Sequence, residues 1–122
     1  MVLFLFEKGE NMILLISSKG ETLQSQPNLR FGRAPFFIEF NLSDDAWTAH
    51  RNDAVKESSG AGVAASQFII NRHASAAISG RFGPNAQRAL SYADIKMLTF
   101  DETYETIQSV IEGYKSNRLK AF

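Results

Sequence analysis

Apolar and polar positions divide the chain into two halves with different rhythms. Met12–Ser17 is short, branched and apolar, and it stops at the turn formers Ser17-Ser18-Lys19-Gly20, so it reads as a buried strand. Gln24–Pro35 has two prolines and no helical period, which makes it a loop. In Phe36–Leu42 the side chains alternate, with Phe36, Ile38 and Phe40 on one face and Phe37, Glu39 and Asn41 on the other. Ser43-Asp44-Asp45 supplies a turn, and Ala46–Arg51 returns as the second strand of an antiparallel hairpin.

The second half is helical in rhythm. Val63–Arg72 places Val63, Ala64, Phe68 and Ile69 near one stripe, after the junction Ser58-Ser59-Gly60-Ala61-Gly62. Ser75–Ser79 reads as a short strand. Pro84 suits a first helical turn, and Ala86, Ala89, Leu90 and Ala93 form a small-residue face able to lie close to a sheet. Lys96–Phe100 is a further strand, and Tyr104, Ile107, Val110, Ile111 and Tyr114 make the stripe of a last helix. Helices joining consecutive strands require parallel pairing with right-handed crossovers. The expected fold is therefore α/β: a single layered domain with a mixed, mostly parallel sheet plus an antiparallel hairpin.

The apolar run Val2–Phe6 is broken by Glu7, Lys8 and Glu10, far short of the roughly 20 residues that span a bilayer. It lacks a basic leader and a small-residue cleavage site, so the expectation is a cytoplasmic protein with no membrane partner. Residues 1–11 read as an extension on a domain spanning 12–122, or as a strand paired with Met12–Ser17 through Glu7–Asn11.

Composition narrows the chemistry. The 122 residues, 44% hydrophobic and 21% charged, suit one compact domain. Thirteen Lys and Arg balance thirteen Asp and Glu, so no basic surplus points to nucleic acid, and any ion site must be local. Zero cysteines exclude disulfides, thiolate catalysis and cysteine ligation of zinc or iron–sulfur clusters.

Two loop-to-helix junctions, Ser58–Gly62 and Gly80–Asn85, follow strands and so belong over carboxyl strand ends, where α/β sheets bind ligands. Glycines permit close approach, and free N–H groups at a helix start favour anions. Turn chemistry alone also places glycine at such junctions. Neither matches the G-x-x-x-x-G-K-[ST] or G-x-G-x-x-G pattern of nucleotide sites. Arg30-Phe31-Gly32-Arg33 sets two guanidinium groups around a glycine; they suit carboxylate or phosphate, or stand as solvated loop charges. His50, near the end of the hairpin, is a weak candidate metal ligand, whereas His73 suits a helix C-terminus. Asp44-Asp45 reads as a hairpin tip, and Asp101, Glu102, Glu105 and Glu112 as charges along the last helix. No nucleophile and base pair at an interpretable spacing, so the expectation is a protein that is not an enzyme.

The ordered set Phe31-Gly32-Arg33-Ala34-Pro35-Phe36-Phe37, Asn52, Gly60-Ala61-Gly62, Ile78-Ser79-Gly80 and Gly83-Pro84-Asn85-Ala86 with Ala89-Leu90 resembles the dinitrogenase iron-molybdenum cofactor biosynthesis family, that is, NifX-type proteins and the C-terminal domain of NifB-type proteins. The likeness runs from about Met12 to Gly113. It implies a ribonuclease H-like sheet order and a cleft bordered by Phe31, Gly32, Arg33, Ser59, Gly60, Gly62, Gly83 and Asn85. The implied ligand is an anionic iron–sulfur or iron–molybdenum cluster precursor, and the implied partners are cofactor assembly proteins. Many relatives have a histidine before the glycines where this chain has Ser58-Ser59, which leaves His50 or hydrogen bonding alone to hold a metal cluster. Nuclease chemistry is disfavoured because Met12–Ser17 carries no carboxylate to hold a catalytic metal. The alternative reading is a small-anion or regulatory module unrelated to nitrogen fixation.

Overall fold

The structure is a computed structural model and describes residues 12–56 and 59–122; the expectations for residues 1–11 and for Ser58 lie outside the described residues. Six strands form one sheet: β1 (Ile13–Ser18), β2 (Phe36–Asn41), β3 (Trp47–Arg51), β4 (Ala76–Ser79), β5 (Lys96–Thr99) and β6 (Lys120–Ala121). The helices are α1 (Ala61–Asn71), α2 (Pro84–Tyr92) and α3 (Ile107–Lys115), with a 3-10 turn at Asp53–Lys56. The sheet order is β3-β2-β1-β4-β5-β6, ribonuclease H-like as the resemblance implied. It is mixed, but antiparallel pairs (β1–β2, β2–β3, β5–β6) outnumber the parallel pairs β1–β4 and β4–β5, so it is less parallel than expected.

The central strand β1 explains the layering. Leu14, Leu15 and Ile16 are all fully buried, and because successive strand residues face opposite sides they serve two different cores. Leu15 joins Phe37, Ala65, Ile69, Ala86 and Leu90 under α1 and α2. Leu14 and Ile16 join Ile38, Phe40, Ile107, Val110 and Ile111 under α3. A sheet covered on both faces needs apolar residues at every central position, which is why β1 has no polar alternation.

Beyond one-residue shifts at strand ends, two helix starts and one additional strand differ from the expectation. Helix α1 starts two residues early and buries Ala61, Ala65, Ser66 and Ile69, while Val63 is 47% exposed. Its buried face is built mainly of small residues, which carry little hydropathy signal, so of the expected stripe Ile69 is buried and Phe68 partly so, while Val63 and Ala64 face outward. Helix α3 begins at Ile107, leaving Tyr104, Asp101, Glu102 and Glu105 in the turn before it. Its start is set by a capping box in which Thr106 and Ser109 each satisfy the other's backbone N–H. Strand β6 is only two residues long, too short for a period to register, and beyond it Phe122 packs edge-on against Phe82.

At the carboxyl ends of β1 and β4 the loop after β1 is held down by buried polar groups. The hydroxyls of Ser17 and Ser79 lie 2.8 Å apart, and Ser17 Oγ is 2.6 Å from the Asn28 carbonyl. Arg81 N–H donates to the Leu29 carbonyl at 2.7 Å, and Phe31 N–H donates to the Arg81 carbonyl at 3.1 Å. This bridge requires Gly80, because a Cβ there would stand 2.8 Å from the Leu29 carbonyl oxygen and 2.9 Å from its Cα.

Gly80→Ala is therefore expected to cost about 1–3 kcal/mol through overpacking against backbone. Urea denaturation should show a lower midpoint at an unchanged slope. Thr106→Ala, which removes the α3 cap, should cost about 1 kcal/mol in the same assay.

Candidate functional site

The loop 30–33, the start of α1 and the turn before α2 enclose a cleft of about 470 Å³. Its floor is aromatic: Phe31 and Phe82 are buried with ring centroids 5.0 Å apart, and Phe31 also packs on Phe37 at 5.3 Å. Its walls carry Arg30, Arg33 and Arg81 and the backbone of Gly32, Gly60–Gly62 and Gly83, with no carboxylate among the described residues that line it.

Close backbone packing brings these parts together. A Cβ on Gly32 would lie 3.1 Å from both the Cα and the N of Gly62, so the loop lies directly on the first turn of α1. Gly62 in turn faces Ala86 across ordinary van der Waals distance, which sets the starts of α1 and α2 side by side. Asn52, almost fully buried, shapes the loop: its Nδ2 donates to the Ala34 carbonyl at 2.8 Å and lies 3.4 Å from the Gly32 carbonyl, while its Oδ1 accepts from Ala54 N–H at 3.1 Å. Arg33 Nη1 donates to the Val55 carbonyl at 3.4 Å, tying the guanidinium to the 3-10 turn.

The helix starts differ in how their N–H groups are satisfied. In α3, Ile107 and Gln108 donate to the carbonyls of Ser25 and Leu23, and Ser109 donates to Thr106. The N-caps of α1 and α2 are Gly60, in the left-handed region at φ 79°, and Gly83; neither supplies a side-chain cap. The N–H groups of Ala61, Gly62 and Val63 in α1, and of Asn85 and Ala86 in α2, find no acceptor among the described residues. The guanidinium groups of Arg30 and Arg81 likewise make no hydrogen bond or ion pair to a described residue. Of these donors, those of Ala61, Gly62, Arg30 and Arg81 belong to residues that line the concavity, and Gly83 brings the start of α2 to its edge, the electrostatic setting for an anion.

Of the residues singled out from the sequence, Phe31, Gly32, Arg33, Gly60, Gly62 and Gly83 line this cleft together. Ser59 and Asn85 do not: both are exposed outside the lining, and Asn85 Oδ1 accepts from Arg88 one turn along α2. His50 is also apart from it. Its Nε2 lies 2.7 Å from Glu39 Oε1, an oxygen shared with Arg72, and its ring meets Phe68 edge-on. Among the described residues no three His, Asp or Glu side chains gather as metal ligands. His73 sits just past the end of α1 at φ 57°, lining a separate cleft with Ile70 and Ile95. The sequence reading assigned no role to Arg81; its signal was an arginine directly after the glycine that closes a strand.

Among the described residues no helix is long and apolar enough to cross a membrane. No curated protein matches the sequence. Among solved structures, the chain is similar to the apo form of the orange protein from Desulfovibrio gigas, with a TM-score of 0.86 and 24% identity over 92% of this chain and 93% of that one. It is also similar to a putative NifB protein from Thermotoga, described as belonging to the DUF35 family, with a TM-score of 0.80 and 25% identity over 90% and 92% of the two chains. At its lower identity, the first likeness speaks to the fold alone. The family model described as dinitrogenase iron-molybdenum cofactor matches residues 12–117, nearly the whole described domain, and the chain belongs to that family.

Proposed function

We propose that this chain is a non-enzymatic binding or carrier protein of the cytoplasm for an anionic iron–sulfur or iron–molybdenum cofactor precursor, exchanged with cofactor assembly proteins. The observation that carries this reading is the joining of two uncapped helix starts and three arginines around a cleft that no carboxylate of a described residue lines. Residues 12–122 form the binding domain in this proposal, and residues 1–11 an extension to it.

The donor set also defines the form of the cargo. Among the described residues the cleft offers guanidinium and backbone N–H donors and no thiolate, imidazole or carboxylate, so it fits a cluster that arrives with its own ligand sphere complete. Charge-assisted hydrogen bonds contribute about 1.5–3 kcal/mol each and a helix start about 0.3–1 kcal/mol. Three guanidinium contacts and two helix starts reach the order of the ~8 kcal/mol of micromolar affinity, before association costs.

The same donors suit a compact oxyanion, and the lack of any metal-ligating side chain among the described lining residues favours a second reading, a small-anion or regulatory module. Anaerobic titration with a synthetic thiolate-capped iron–sulfur cluster, followed by absorbance, separates the two when run beside inorganic phosphate. Saturable cluster binding that phosphate does not displace supports the carrier. Phosphate binding alone supports the second reading, and silence from both removes the cleft as an anion site.

Arg81→Ala and Arg30→Ala break no side-chain hydrogen bond or ion pair with a described residue and should each weaken cluster binding by about 10-fold or more at unchanged thermal midpoint. Arg33→Ala should weaken it as well, with some loss of stability from the contact to Val55.

Gly83→Asp should separate binding from stability. Gly83 has extended backbone at φ −68°, and no atom stands within 4 Å of where its Cβ would be. Aspartate at this N-cap should stabilise α2 by about 0.3–1 kcal/mol, yet it places a negative charge in the cleft. A thermal midpoint that holds or rises with loss of cluster binding is the expected result; retained binding would count against the cleft as the site.

A further inference from the structure

A second cleft of about 410 Å³ opens on the other side of the same arginines, between the loop after β1 and the turn after β5. Arg30, Arg33 and Arg81 line both clefts. Here, however, they are joined by Lys19 and faced by two carboxylates, Asp101 and Glu102. Opposite charges that share a cavity usually pair, but neither carboxylate pairs with any of these cations: the ion pairs among the described residues join Glu39 to His50 and Arg72, and Asp45 to Lys115. Glu102 makes no hydrogen bond to a described residue. Asp101 keeps one oxygen occupied by the hydroxyl and N–H of Thr103, which hold its carboxyl below the usual range and keep it charged. Lys120 adds a weaker attraction from β6.

We infer that this cleft is a binding site for a small amino-dicarboxylate, a molecule with two carboxylates and one ammonium. The arginine and lysine side takes the carboxylates, where planar guanidinium groups give paired hydrogen bonds. The Asp101 and Glu102 side takes the ammonium. Tyr104 and Leu29 provide apolar surface for the carbon skeleton between them, and the volume is that of a small-molecule site. The two carboxylates also set this cleft apart from its neighbour, which no carboxylate of a described residue lines: they repel a compact, multiply charged inorganic anion. A dipolar ligand satisfies both sets of charges at once, whereas a plain dianion leaves the acidic side unmatched and a plain diamine meets the arginines.

The test is calorimetric titration of the full chain with three probes of matched carbon length: L-glutamate, glutarate and cadaverine. L-glutamate should bind, glutarate should bind about fivefold more weakly, in line with one exposed charge contact, and cadaverine should give no saturable heat. The double variant Asp101→Asn with Glu102→Gln should bring L-glutamate to the affinity of glutarate. Lys19→Gln should weaken both acids equally. Amide shifts on adding L-glutamate should centre on Asn28 and Thr103. Equal affinity for glutamate and glutarate in the unaltered chain, a preference that survives in the double variant, or no binding of L-glutamate would each overturn the inference.

Discussion

Backbone lies on backbone where the loop before β2 crosses the ends of the central strands, and the site depends on that contact. Gly80 lets Leu29 settle directly onto the end of β4, and Gly32 lets the next stretch of loop settle onto the first turn of α1. Side chains at either position would hold the loop away by the thickness of a methyl group, more than these close-packed layers tolerate. Once the loop is clamped, Arg30 and Arg33 can stand only over the strand ends, and the reciprocal bridge through Arg81 brings the third guanidinium beside them. Buried polar groups stabilise the clamp: the Ser17 and Ser79 hydroxyls beneath the loop and the Asn52 amide beside it all meet partners.

The contrast among the three helices follows from the same geometry. The loop after β1 folds back over α3, whose first N–H groups meet its carbonyls and the Thr106 cap. Helices α1 and α2 lie on the opposite face of the sheet, where glycine N-caps bring no side-chain acceptor. Glycine N-caps forgo about a few tenths of a kcal/mol each relative to a good side-chain cap. That cost is common where the open end is meant for a ligand, and here the two open ends are adjacent because Gly62 and Ala86 allow their first turns to touch. The charge pattern then differs on the two sides of the arginine stripe: among the described residues no acid lines one cleft and two line the other.

Much of this was legible in the residues. The turn formers, the alternation in Phe36–Leu42 and the proline at the start of α2 mark real boundaries because each reports a local constraint on the chain. The glycines of FGRAP, GAG and GPNA marked the parts of the cleft for different reasons: Gly32 and Gly62 allow close approach, Gly60 takes a positive φ, and Gly83 stands in open space at an uncapped helix start. The misreadings have a common cause. Val63 lies on the apolar stripe of α1 yet is half exposed, since the face that packs is the one with small residues. Asp101 and Glu102 looked like helix charges because the helix start is decided by Thr106, Ser109 and two carbonyls from a loop some 80 residues earlier.

Composition, periodicity and turn chemistry by themselves determined the α/β class, the order of the elements, the lack of any thiolate ligand and the placing of glycines at two helix starts, because these depend on neighbours along the chain. Tertiary structure alone decided that Arg30 and Arg81 join Arg33, that His50 spends its imidazole on Glu39 rather than facing the cleft, that Ser59 and Asn85 fall outside it, and that β6 completes the sheet. Each of those outcomes depends on which distant segments are pressed together, and side-chain partners across tens of residues are set by packing rather than by any local pattern.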